Sequence, residues 1–193
     1  MGLAVYANMT SLIVGLLLMQ QLQVAPGPRH PEGAVTKGLV TLEGEVNDMG
    51  RLTNVQVIHG EPPFIQPSLD AIKEWEFAPV SRPERMTVSF LYRARTILPD
   101  QPYEFSVPTR CCARPTRAID PGYPVNSIGE GAVIMQVRIN AGGSSVQEVR
   151  VVREEPSLTE VAVSAVRKWR FATDRPASAI VVISFLRPVL SSH

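Results

Sequence analysis

The chain has 193 residues, 45% of them hydrophobic and 19% charged, with a formal net charge of +1. Those proportions belong to a folded globular protein. So balanced a charge leaves no global field to draw in nucleic acid or an acidic membrane surface, and partners have to be met by local shape.

No charged residue precedes Arg29, and Leu12 to Met19 form an apolar run of eight residues. That is too short for a helical span, which takes roughly 20 residues, and it fits the apolar stretch of an export signal. Residues 1–25 are therefore expected to be a signal peptide or, counting the looser stretch from Leu3 to Leu22, a membrane anchor. A buried N-terminal strand or helix is the alternative. The expected location is periplasmic, secreted or inner-membrane anchored.

From His30 the pattern changes. Val40, Leu42, Gly44 and Val46 alternate with Thr41, Glu43 and Glu45, the period of a half-buried strand. Asn47-Asp48-Met49-Gly50 supplies turn chemistry and predicts a hairpin with a second strand carrying Val55, Val57 and Ile58. A helix opening near Pro67-Ser68 would turn Leu69, Ile72 and Trp75 inward, and Met86 to Tyr92 reads as a third strand. Residues 94–122 form a Pro/Arg-rich connector. Its arginines come without a glycine-rich loop or interleaved aromatics, so a solvated linker is expected and not a phosphate or nucleic-acid site. Cys111 and Cys112 are adjacent and lack the partners of a zinc site, which leaves ordinary connector residues or a cross-link to another chain.

The same elements then recur. Val133, Met135, Val137 and Ile139 alternate with Ile134, Gln136 and Arg138, and Asn140-Ala141-Gly142-Gly143 is the next turn. Ser157 with Glu160 predicts a capping box opening a helix that carries Leu158, Val161, Ala162, Ala165, Val166 and Trp169 on one stripe. Ile180 to Leu186 is the closing strand. Pro31, Gly38, Asn47 and Gly50 align with Pro124, Gly131, Asn140 and Gly143 at an offset of 93. Ala71 to Ala78 aligns with Ala165 to Ala172 at 94, and Ser89-Phe90-Leu91 with Ser184-Phe185-Leu186 at 95. The expected fold class is α+β: two tandem modules, residues 30–93 and 123–187, each a small antiparallel three-stranded sheet with one main helix packed across it. A right-handed crossover would set strand three beside strand one and leave it as an edge.

Tyr123-Pro124, Gly131, Gly143, Val149 to Val152, Leu158, Ala165-Val166-Arg167-Lys168-Trp169-Arg170-Phe171 and Phe185 together resemble the C-terminal domain of the TonB family. The likeness covers residues 123–187, and residues 30–93 are a divergent relative, with His30 in place of the tyrosine. The resemblance implies a periplasmic domain that holds an extended peptide of an outer-membrane receptor by strand addition. It points to Ile180, Val181, Val182, Ile183, Ser184, Phe185 and Leu186 as the partner-binding edge, since an unpaired edge offers backbone donors and acceptors. The family's force transducers need a spanning anchor and a long tether. Here hardly any chain separates Leu22 from His30.

Trp75 and Trp169 fall on apolar helix faces and are expected in the core. Modules this small approach the limit at which one core suffices, so the copies should pack on each other or on a second chain. Ile180, Val182 and Leu186 are apolar where a solvated face is expected and are candidates for that interface. His30, His59 and His193 have no acidic or cysteine companion at motif spacing, so catalysis, metal and cofactor are not expected. The function anticipated is a protein-interaction module for an extended peptide, linked to TonB-type transport. A structural tandem module with no peptide ligand and an energy transducer are the alternatives.

Overall fold

A computed structural model describes residues 22–106, 112–140 and 144–189. The leader or anchor expected over residues 1–25 falls almost wholly outside them, as do Cys111 and Gly143. Among the described residues no helix is long and apolar enough to cross a membrane. The protein is α+β, mostly sheet, with two helices among the described residues.

In the first half, β2 (Gly38–Val46) turns Val40, Leu42 and Val46 into a core. The hairpin forms because the Asn47 side chain accepts the backbone N–H groups of Met49 at 3.1 Å and Arg51 at 2.9 Å. Gly50 sits at φ 71°, and a Cβ there would lie 2.1 Å from the Phe77 carbonyl oxygen. Only glycine closes that turn. The return strand is β3 (Leu52–His59). Helix α1 (Ile65–Lys73) starts before the expected Pro67-Ser68. Pro67 is tolerated in the first turn, where its missing N–H has no partner to lose. Ser68 lies inside the helix, where its hydroxyl donates 2.9 Å back to the Phe64 carbonyl. Trp75 follows, fully buried, and β5 (Glu84–Tyr92) completes the half beside β2.

The second half repeats this order with β8 (Gly131–Ile139), β9 (Val146–Arg153), α2 (Thr159–Val166) and β11 (Ala177–Phe185). The expected capping box does not form. Ser157 adopts a positive φ of 65° and its hydroxyl bonds the Ser127 hydroxyl at 2.6 Å. The opening turn is closed by Thr159, whose hydroxyl accepts the Glu155 N–H at 2.8 Å and donates to the Glu155 carbonyl at 3.0 Å.

One six-stranded sheet runs β3-β2-β5-β11-β8-β9. Every neighbouring pair is antiparallel except β5 and β11, which lie parallel at the centre. Read outward from that seam, the strand order and the helix following each hairpin are the same on both sides. Val133, Met135, Val137, Ile139, Val181 and Ile183 face α2. Val40, Leu42, Met86, Val88 and Phe90 face α1 together with Ile134, Ile180 and Val182. The helices therefore lie on opposite faces, as a half-turn about an axis along the seam requires.

Each face also carries a strap. The short β1 (Leu22–Val24) pairs with β4 (Glu76–Phe77), and the Trp75 indole donates to the Pro26 carbonyl at 3.0 Å. On the other face β7 (Arg114–Ala118) pairs with β10 (Arg170–Ala172) and with β6 (Tyr103–Glu104), and the Trp169 indole donates to the Ile119 carbonyl at 3.0 Å. The two indoles are core residues whose one polar atom ties down the strap.

Candidate functional site

The residues expected to receive a partner stand at the centre of the sheet. Ile180, Val181, Val182, Ile183 and Ser184 pair antiparallel with Gln136, Met135, Ile134, Val133 and Ala132 of β8, and in parallel with Val88, Ser89, Phe90, Leu91 and Tyr92 of β5. Phe185 pairs with Gly131, and the Arg93 N–H continues the seam onto the Ser184 carbonyl at 3.0 Å. The expected edge is therefore not an edge. Its hydrogen-bonding positions are taken by the equivalent strand of the same chain, and the apolar side chains of Ile180 and Val182 are fully covered. Leu186 lies just beyond the strand and is half-buried.

The seam ends in a small polar site that no sequence spacing reveals. His30 Nδ1 lies 3.3 Å from the Ser184 hydroxyl, and its ring meets Tyr92 and Phe64 edge-on at 5.4 and 6.2 Å between centroids. Burial, reinforced by the nearby Arg95 charge and opposed by Glu130, lowers the His30 pKa from 6.5 to about 4. Nε2 is buried with no hydrogen-bond partner and Ser184 is inaccessible. A serine beside a histidine is the pairing that nucleophilic chemistry uses, but here burial holds the ring neutral and the Ser184 hydroxyl is itself buried. The pair packs the seam.

Beside it Arg93 and Asp120 form an ion pair with both side chains inaccessible. Asp120 also accepts the N–H groups of Gly122 at 2.8 Å and Asp100 at 3.3 Å, and Arg93 donates to the Thr96 and Leu98 carbonyls. The carboxylate and most of the guanidinium are satisfied, with Arg93 Nη1 buried without a hydrogen-bond partner, and the pair fixes the connector against the end of β5. Where a solvated linker was expected, residues 112–122 are a structured strap.

On the α2 face of the first half, a cavity of ≈ 240 Å³ is lined by Glu43, Glu45, Asn54, Gln56, Arg85, Cys112 and Arg114. Its charges are matched: Arg114 holds both Glu43 oxygens and Arg85 lies 3.6 Å from Glu45. Among the described residues no group of three or more His, Cys, Asp or Glu side chains could hold a metal.

What the sheet leaves open is its two outer edges, β3 and β9. The pairing of equivalent strands could not be read from periodicity, which says which residues are buried and not what covers them. The straps had a signal. Ala25 and Pro28 relate to Ala118 and Pro121 by the offset of 93 that relates Pro31 to Pro124, so the repeat begins before His30. Comparison with known protein families, with curated proteins and with solved structures finds no match.

Proposed function

We propose that this chain is a non-catalytic protein-interaction module of the cell envelope, made of two TonB C-terminal-like copies whose third strands have closed on each other. The observation that carries this is the parallel seam from Ala179↔Thr87 to Ser184↔Tyr92. In the resembled domain an extended peptide would occupy the place that β5 holds beside β11. A peptide entering here must displace a strand hydrogen-bonded along its length, at about 0.5–1.5 kcal/mol per bond before any apolar surface is counted. The module is thus a closed scaffold, and partners meet it at surfaces other than Ile180 to Leu186. Its connection with TonB-type transport, export and the periplasm rests on the resemblance of residues 123–187.

Hydrogen exchange of the full chain, with and without an extended receptor-type peptide, tests this. Amides from Val181 to Phe185 should be among the slowest and stay unchanged at millimolar peptide. Fast exchange in that stretch, slowed by the peptide, would replace the closed scaffold with peptide capture at the seam strand.

A further inference from the structure

The straps of the two halves follow one register. Leu22 stands opposite Phe77 and Val24 opposite Glu76, as Pro115 stands opposite Phe171 and Arg117 opposite Arg170. The offset between β1 and β7 is 93, and it carries through to Pro26 and Ile119, whose carbonyls accept the two indoles. The connector also covers part of the other half. Arg114, at the start of β7, holds both oxygens of Glu43, and Phe105 meets the His59 ring at 4.6 Å between centroids. The residue 93 positions before Arg114 is Gln21, and the counterpart of Glu43 at the same offset is Gln136.

The two faces differ in chemistry. On the α2 face of the first half, Thr41 stands opposite Ser89 and Glu43 opposite Thr87. On the α1 face of the second half, the matching positions hold Ile134 opposite Val182 and Gln136 opposite Ile180. The three aliphatic side chains are fully buried. Gln136 is 1% exposed, and among the described residues neither its amide oxygen nor its nitrogen has a hydrogen-bond partner. An amide buried in that state is costly and calls for a partner. The described chain begins at Leu22, which belongs to the α1-face cluster, in a strand that lies against β9. Before it come the apolar run from Leu12 to Met19 and then Gln20 and Gln21. Extended chain reaches about 3.3 Å per residue and neighbouring strands are about 4.8 Å apart, so these residues are enough to cross β8 and β9.

We propose that residues 12–21 of this chain occupy the α1 face of the second half, with the Gln21 amide meeting Gln136 where Arg114 meets Glu43. The apolar run completes the cover of Ile134 and Ile180, and an uncharged amide pair replaces an ion pair. Each cover then suits its face: arginine over a carboxylate among hydroxyls, amide over amide among aliphatic side chains that would leave a charge unsolvated. The proposal stands on the repeat and not on the interaction reading. A segment held in this way stays with the folded protein, and the connection with export rests on the resemblance alone.

The test is a charge exchange in the full chain, read by chymotryptic cleavage within residues 12–19, where leucine and methionine offer cutting sites. The wild type is expected to resist cleavage there. Gln136→Glu buries a carboxylate without a cation and should speed cleavage about tenfold or more. Gln21→Arg added to Gln136→Glu rebuilds the ion pair of the other half and should return the rate to within about threefold of the wild type. Gln136→Met, apolar and uncharged, should stay resistant, and circular dichroism of each variant separates release of the segment from loss of fold. Where Gln136→Glu alone does not fold, recovery of the fold by Gln21→Arg reads the same pair. Three results would overturn the proposal: wild-type cleavage as fast as that of a free peptide of the same sequence, failure of Gln21→Arg to restore resistance or fold, or absence of these residues from the protein isolated from its own cells. Resistance that grows with protein concentration would overturn it in favour of a second copy's segment, and resistance gained only with phosphatidylglycerol vesicles in favour of a membrane.

Discussion

His30 shows what sequence reasoning can and cannot reach at the scale of one residue. Its counterpart in the second half was legible, because Pro31 follows it as Pro124 follows Tyr123. Its partner was not, since Ser184 lies 154 positions away. The buried ring makes a pH prediction. The folded protein takes up the His30 proton only near pH 4, and the unfolded chain takes it up near 6.5. Between those values the unfolded state binds more protons, so stability should be full above pH 6.5, fall as the pH drops toward 4, and gain no further penalty from this group below that. The nearby charges work against each other here, Arg95 deepening the effect and Glu130 opposing it. Urea midpoints followed from pH 7.5 to 4 should therefore decline more steeply for the wild type than for His30→Phe, which keeps the ring contacts to Tyr92 and Phe64 and has no proton to take. Parallel curves would mean that the ring is solvated in the folded state.

Among the elements, strands were easier to read than helix ends. The alternation in β2 and β8 and the turn at Asn47 to Gly50 follow from local chemistry, and they stand where local chemistry puts them. Ser157 failed as a cap because the local preference met a competing partner: Ser127 took its hydroxyl, and Thr159 closed the turn instead. The third strands were legible as strands and misread as edges. Both faces of β11 are lined by apolar residues, the mark of a strand buried on two sides and not of a half-solvated edge. A substitution at Val182 probes this. On an outward, solvated face Val182→Ala would change stability by a few tenths of a kcal/mol. Packed as it is among the α1-face cluster, it should cost about 1–3 kcal/mol. Val189→Ala, at a position 62% exposed, should be neutral in the same urea titration.

At the scale of the whole molecule the halves are not independent bodies that happen to touch. The cluster under α2 takes Leu39 and Leu91 from the first half, and the cluster under α1 takes Ala132, Ile134, Ile180 and Val182 from the second. Each core is completed by the other half, which is what a small module near the limit of independent stability requires. Repetition in the sequence raised the expectation of two similar units and their size the expectation that they pack, but the axis of packing depends on which edges meet, and that is a property of the pair. Cutting the chain between residues 106 and 112 exposes the seam on both sides. Residues 1–106 and 112–193, made separately, should each fail to show a cooperative thermal transition, because the paired row and the apolar face of Ile180 and Val182 are opened to water at once. Mixed, they should regain a single transition whose midpoint rises with concentration, as expected when association and folding are one equilibrium. A cooperative, concentration-independent transition in residues 112–193 alone would show that the second half folds by itself. The seam would then be a docking surface between finished domains, and its third strand would be free to trade β5 for another partner.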